Sequence, residues 1–188
     1  MIEIRAEGPD DCEAVRSVNE SAFARPQEAA LVDALRAAAR PFVSLVAVAA
    51  GRVVGHIFFS PVTIELDGAP AVAGGSDGDG DRGGDGSPLA AMGLAPMAVA
   101  PEWQRRGVGS QLVRVGLEHC LRRSLGAAVF VLGHPDYYPR FGFTPAGPRG
   151  FRCEYDVPAE VFMVAELVPG ALAGRAGLVK YRPEFSAV

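Results

Sequence analysis

Six consecutive residues, Gln104-Arg105-Arg106-Gly107-Val108-Gly109, carry the strongest chemical signal in the chain. They follow an apolar run from Ala91 to Ala100 and a turn at Pro101-Glu102-Trp103, and a long helical pattern begins at them. The first amides of a helix have no partner inside it. They sit at the positive end of the helix dipole, and such a turn binds phosphate without a lysine. Gly107 and Gly109 lack Cβ atoms, so a diphosphate can approach the backbone closely. Two other phosphate loops are excluded. The P-loop requires Gly-Lys-Ser/Thr, which is absent, and the dinucleotide fingerprint requires a third glycine where Leu112 stands.

A second chemical segment runs from Val131 to Phe143 and contains His134, Tyr137 and Tyr138 ahead of Gly142-Phe143. The remaining candidates are weaker. His56 falls in a strand pattern and His119 in the long helix, and neither has a partner at metal-ligand spacing. Cys12, Cys120 and Cys153 form neither a disulfide framework nor a zinc pattern, so a reduced, cytoplasmic setting is the default expectation. Nothing next to Cys120 in sequence supplies a base for a covalent acyl-cysteine route.

The elements that must position these residues are legible from periodicity. Ile2 and Ile4 alternate with charged neighbours as a short strand, and Asp10 is placed to cap a first helix carrying Val15, Val18, Ala22 and Phe23. Arg25-Pro26 breaks it, and a second helix is expected from about Gln27 to Arg40. Phe42 to Ala50 and Val53 to Ile64 read as a hairpin, with Gly55 marking a bulge. Ala91 to Ala100 is expected as a central strand, and Gln104 to Ser124 as a helix burying Val108, Leu112, Val115, Leu117 and Leu121. Strands follow at Ala127 to Leu132, after Phe143, at Val161 to Val168 and at Leu178 to Tyr181. Short helical turns lie at Tyr137 to Phe141 and Pro169 to Gly174. The order predicts an α/β chain with a mixed sheet and helices on both faces.

Residues 67 to 88 differ in kind. Gly74 to Ser87 contains no apolar residue, and the reading is a flexible surface loop in a single domain spanning 1–188. Asp77, Asp79 and Asp81 imitate the start of a calcium loop, but Arg82 and Pro88 occupy the positions that need glycine and glutamate. Net charge is -4 with a sequence pI near 5.4, so no global field favours nucleic acid or anionic lipid. No run approaches the length of a membrane span, and the N-terminal residues are unlike a secretory signal.

Gln104 to Gly109 resembles the acetyl-CoA signature of the GNAT N-acetyltransferases, Q/R-x-x-G-x-G/A. Tyr137-Tyr138-Pro139-Arg140-Phe141-Gly142-Phe143 is similar to the element that follows the fifth strand in that family. Glu28 to Arg36, Val54 to Ile57, Leu94 to Val99 and Phe162 to Leu167 further resemble its YhbS-like subgroup.

The resemblance implies a central sheet of about seven strands whose fourth and fifth strands splay. The pantetheine of acetyl-CoA would lie in the gap beside Met97, Ala98 and Val99. The diphosphate would lie on the amides from Arg105 to Ser110, with side-chain help from Gln104, Arg105 and Arg106. It implies direct attack of a primary amine on the thioester in a ternary complex. Val99 N–H would hold the oxyanion and Tyr138 would be the general acid toward the leaving thiolate, with Tyr137 as a packing neighbour. Glu28 and His134 are base candidates; Glu102 ranks below them because it adjoins the phosphate turn. No metal is implied. The acceptor is expected to be a small molecule before a protein, and family members often dimerise through their C-terminal strands. The competing readings are a non-catalytic acyl-CoA-binding regulator and a protein lysine or N-terminal acetyltransferase.

Overall fold

The computed structural model describes residues 2–67 and 89–187, so the reading of the Asp/Gly stretch, including Asp77, Asp79 and Asp81, lies outside the described residues. The strands are β1 (Ile2–Ala6), β2 (Val43–Ala49), β3 (Arg52–Leu66), β4 (Ala91–Val99), β5 (Ala128–Leu132), β6 (Thr144–Pro145), β7 (Phe151–Cys153), β8 (Phe162–Glu166) and β9 (Gly177–Lys180). The helices are α1 (Cys12–Phe23), α2 (Gln27–Ala38) and α3 (Val108–Arg122). The sheet runs β1-β2-β3-β4-β5-β8-β6, with β4 and β5 parallel and the other neighbours antiparallel. The outer end of β3, Thr63 to Leu66, pairs instead with β9, which pairs in parallel with β7. The expected mixed sheet therefore forms with nine strands among the described residues; the short β6 is the strand expected after Phe143, and β7 is the one the sequence reading did not contain.

Strand alternation sends side chains to two faces. On one, Ile57, Phe59, Met92 and Leu94 meet Val108, Leu112, Val113 and Cys120 of α3. On the other, Val46 and Phe58 meet Val15 of α1 and Leu31, Val32 and Leu35 of α2. Helices thus cover both faces, as the element order implies.

Several boundaries move for physical reasons. Asp10 does not cap α1. Asp11 does the local work: its carboxylate accepts from the Gly8 amide at 2.7 Å and from Arg5 at 2.6 and 2.8 Å, and a 3-10 turn at Pro9–Asp11 precedes the helix. Helix α2 stops at Ala38, because Ala39 is already extended before Arg40-Pro41. Helix α3 begins at Val108 instead of Gln104, because Arg105 (φ 59) and Gly107 (φ 81) are left-handed and cannot continue a right-handed helix. Its buried stripe is Val108, Leu112, Val113, Gly116 and Cys120. Leu121, expected inward, falls off that stripe and is 47 % exposed. The expected bulge near Gly55 is real: Ala47 pairs with Gly55 and Val48 with Val53, leaving Val54 as the extra residue. Residues 169 to 174, expected as a short helical turn, form successive turns.

His56, without a partner at metal-ligand spacing in the sequence, is fully buried within a polar chain. The Asn19 amide Nδ2 lies 2.9 Å from the Val15 carbonyl and 3.2 Å from His56 Nδ1. His56 Nε2 lies 2.9 Å from Ser44 Oγ, and Ser44 donates to Glu7, which also receives Arg36 at 2.6 and 3.0 Å. Asn19 supplies hydrogens, so His56 Nδ1 accepts and Nε2–H donates toward Ser44. Burial lowers the His56 pKa, opposed by Glu7, and keeps the ring neutral in the fold. Burial pushes the Glu7 carboxyl up, but bonds from His56, Ser44 and Arg36 outweigh it and bring it down to about 2.

Both shifts favour the folded state at neutral pH. The unfolded histidine gains a proton below about pH 6.5 that the folded one refuses, so stability falls on acidification from there. The Glu7 contribution is full above the ordinary carboxylate value of 4.5 and is lost as pH falls toward 2. Urea midpoints are expected to be level from pH 8 to 7, to drop below about 6.5, and to drop more steeply below about 4.5. His56→Gln should flatten the first limb and shrink the second, because His56 is one of the groups that hold the Glu7 carboxyl down. A wild-type midpoint unchanged between pH 7 and 5 would contradict this account.

Candidate active site

The site begins with a register break. Phe59 pairs with Leu94 and Ile57 with Met97, so Ala95 and Pro96 of β4 stand opposite the single residue Phe58 of β3. Such a bulge bends its strand and ends pairing locally. The β4–β5 ladder accordingly covers only Ala91–Leu94 against Ala128–Val131, and the two strands part beyond it.

The exposed edge has a defined polarity. Ala100 N–H donates to the Val54 carbonyl at 3.0 Å, and Ala98 lies opposite His56. By the alternation of an antiparallel ladder, Ala98 and Ala100 turn their polar groups toward β3, while Met97 and Val99 turn theirs into the gap. Gln104 Nε2 donates to the Val99 carbonyl at 3.0 Å, so this side chain braces the strand end and leaves the Val99 N–H facing the opening.

The gap leads to the start of α3. The first helical bond runs from Gln111 N–H to the Gly107 carbonyl at 3.1 Å, so the N–H groups of Val108, Gly109 and Ser110 precede the ladder. The first turn of α3 holds no acidic residue and no side-chain cap. A Cβ on Gly107 would meet nothing within 4 Å; its φ of +81 is what requires glycine. A Cβ on Gly109 would lie 2.9 Å from the Tyr137 hydroxyl, so close approach is what requires glycine there.

The opposite wall follows β5. A Cβ on Gly133 would lie 2.2 Å from the Tyr138 ring, so this glycine makes room for that side chain. His134 closes the next turn through its carbonyl, which accepts from Tyr137 N–H at 3.0 Å and Tyr138 N–H at 3.3 Å. The 3-10 turn Tyr138–Phe141 then places Tyr138 in the cleft wall, packed edge-on against Phe143 at 5.4 Å. Tyr138 is 6 % exposed, and burial pushes its phenol above the ordinary tyrosine value, with a smaller contribution from Tyr137.

Together these walls enclose a cleft of about 740 Å³, the size of a small-molecule site. It is lined by Met97, Val99, Gln104, Arg105 and Gly107 to Ser110 from the β4–α3 side, by His134 and Tyr138 from the β5 side, and by Ala22 and Phe23 from the end of α1. Most residues singled out in the sequence are therefore brought together. Arg106 is not in the lining; its guanidinium lies 5.5 Å over the Trp103 ring. Ala98 is turned to β3. Glu28 is buried in the first turn of α2 and held by Arg25, whose Nε lies 3.0 Å from both carboxylate oxygens. Cys120 is buried in the core with its thiol pushed up to about 12, which removes the thiolate an acyl-cysteine route needs. Among the described residues no cluster of three His, Cys, Asp or Glu is placed to hold a metal. Sequence reasoning took Tyr137 as a packing neighbour of Tyr138 and did not single out Arg140 or Phe23 as site residues; all three line the cleft.

A model of the acetyltransferase (GNAT) domain matches residues 41–145. An uncharacterised N-acetyltransferase of Escherichia coli, YhbS, is 33 % identical over 184 residues, covering 97 % of this chain and 98 % of the relative. The chain belongs to the GNAT acetyltransferase family. A second E. coli relative of this GNAT chain, the uncharacterised N-acetyltransferase YjhQ, is 42 % identical over 153 residues, covering 80 % of the chain and 74 % of the relative. Among solved structures, the E. coli YhbS complex with CoA superposes with a TM-score of 0.82 at 32 % identity, covering 98 % of this chain and 92 % of that one. A GNAT acetyltransferase from Brucella melitensis in complex with acetyl-CoA gives 0.71 at 32 % identity, covering 98 % of each. Family membership makes this chain an acyltransferase. No helix among the described residues is long and apolar enough to cross a membrane.

Proposed function

We propose that this GNAT chain transfers an acetyl group from acetyl-CoA to a primary amine by direct attack in a ternary complex. One observation carries the reading: the unpaired edge of β4 at Met97 and Val99 runs straight onto the bare amides of α3. An extended pantetheine can pair with that edge while the diphosphate meets the helix start. Relatives of high coverage have been solved with CoA and acetyl-CoA, which supports the same ligand here.

In this reading the amine nitrogen bonds to the thioester carbon and the carbonyl becomes an oxyanion. The Val99 N–H, turned into the gap, donates to that oxyanion. The C–S bond then breaks, and the thiolate takes a proton. Tyr138 O–H faces it. Because burial raises the phenol, the group stays protonated at neutral pH and is a weaker acid than a free tyrosine. A thiolate whose conjugate thiol has a pKa of about 8.5 cannot fully deprotonate it. Its contribution is a hydrogen bond to the developing thiolate, and the proton that leaves with CoASH is the one the attacking amine sheds, relayed through solvent. The amine must shed a proton, and His134 in the cleft wall is better placed to take it than Glu28, which Arg25 occupies.

The test pairs two measurements. Calorimetry with CoA should show binding, and a thiol-release assay over a panel of small primary amines should show turnover on at least one. Binding with no turnover on any small amine, or on a lysine-bearing peptide, would replace the enzyme reading with that of an acyl-CoA-binding regulator.

A further inference from the structure

The Tyr138–Phe141 turn does not simply lie near α3; the two run side by side in matched steps. Tyr137 reaches Gly109 and Ser110, and four residues later Phe141 lies under Arg114, whose guanidinium is 5.4 Å from its ring centroid. The rings brace one another, with Tyr137 at 5.1 Å from Tyr138 and 5.3 Å from Phe141, both edge-on. The result is that the Tyr137 hydroxyl is held over the opening of the helix, where the bare amides are. It has no short bond there: Ser110 Oγ is 3.5 Å away, at the limit of hydrogen bonding. Above the same ring, 4.9 Å from its centroid, sits the Arg140 guanidinium, tied by Nη2 to the Asp136 carbonyl at 3.0 Å. That bond uses one of five N–H donors. Both side chains line the cleft.

We propose that Tyr137 and Arg140 form a second jaw that grips the CoA diphosphate from beside the α3 amides. The inference rests on the acetyl-CoA reading above and adds two ligands to it. A neutral O–H donor and a cation are the two groups that complement phosphate oxygens, and neither is consumed elsewhere by a carboxylate side chain in the contacts described. Gly109 then has a definite purpose: any side chain there would displace the hydroxyl. The arrangement also ties cofactor binding to the segment that carries Tyr138.

The test is calorimetry with CoA and with dephospho-CoA, which keeps the diphosphate and lacks the 3′-phosphate. Tyr137→Phe keeps the ring and its packing, so its thermal midpoint should match wild type. Its Kd for CoA should rise about tenfold, as for loss of a hydrogen bond to a charged group. Arg140→Gln should weaken binding by a similar factor and flatten its salt dependence, and Gly109→Ala should weaken it by displacing the hydroxyl. The loss should be equal for the two ligands. If wild type binds CoA and Tyr137→Phe binds it equally well, Tyr137 is a spacer and the jaw is wrong. A loss seen with CoA but absent with dephospho-CoA would move both residues to the 3′-phosphate and also overturn the proposal. Failure of wild type to bind CoA at all would instead remove the cofactor reading.

Discussion

Gly107→Glu is expected to abolish CoA binding while the protein still folds. The two halves of that expectation come from different observations. The Cβ of residue 107 would point into open space, so the side chain meets no steric obstacle. The backbone there is left-handed, which costs a non-glycine residue about 1 kcal/mol. Gly107→Ala isolates that cost and should lower thermal stability slightly and CoA affinity by less than about tenfold. Glutamate adds a negative charge at the mouth of the anion site. At about 4 Å from a phosphate in an effective dielectric near 20, the repulsion is about 4 kcal/mol, or about a thousandfold in Kd. Calorimetry on the two variants reads the difference directly. Comparable affinities for the alanine and glutamate proteins would mean that the diphosphate lies elsewhere.

Tyr138→Phe is expected to lower kcat about a hundredfold, the low end for loss of one hydrogen-bond donor to a developing anion, and to change the Kd for CoA little. The ring occupies space that Gly133 leaves open and packs on Phe143, so phenylalanine fills the same volume. Only the hydroxyl is removed. Since burial raises the phenol, the group stays protonated at every pH where the protein is assayed, and it should add no alkaline limb to the rate below about pH 10. Equal turnover in the variant, or a loss confined to CoA affinity, would take Tyr138 out of the chemistry.

Much of this was legible because it is written in local signals. The glycine turn, the long apolar periodicity of α3 and the Pro-bounded helices all announce themselves within a few residues, and the family resemblance rests on those same stretches. What was not legible depends on backbone sign and on register. Nothing in Gln104-Arg105-Arg106 says that Arg105 turns left-handed and delays α3 to Val108. Sequence assigned one reason to both glycines, whereas Gly107 answers a dihedral and Gly109 answers the Tyr137 hydroxyl. Glu28 looked available because its partner is three residues back in a turn, and only the fold shows Arg25 gripping it. His56 looked inert because its partners are remote: Asn19 and Ser44 are 37 and 12 positions away, and Glu7 enters through Ser44.

The surplus residue in β4 has a consequence of its own. With Ala95 and Pro96 standing against Phe58 alone, the strand is one unit too long to stay zipped to its parallel neighbour. The cavity is therefore a miscount in the weave of the sheet, inherited by the backbone and independent of which side chains decorate it. Substitutions can rewrite the lining and leave the fork open, so long as that count is kept.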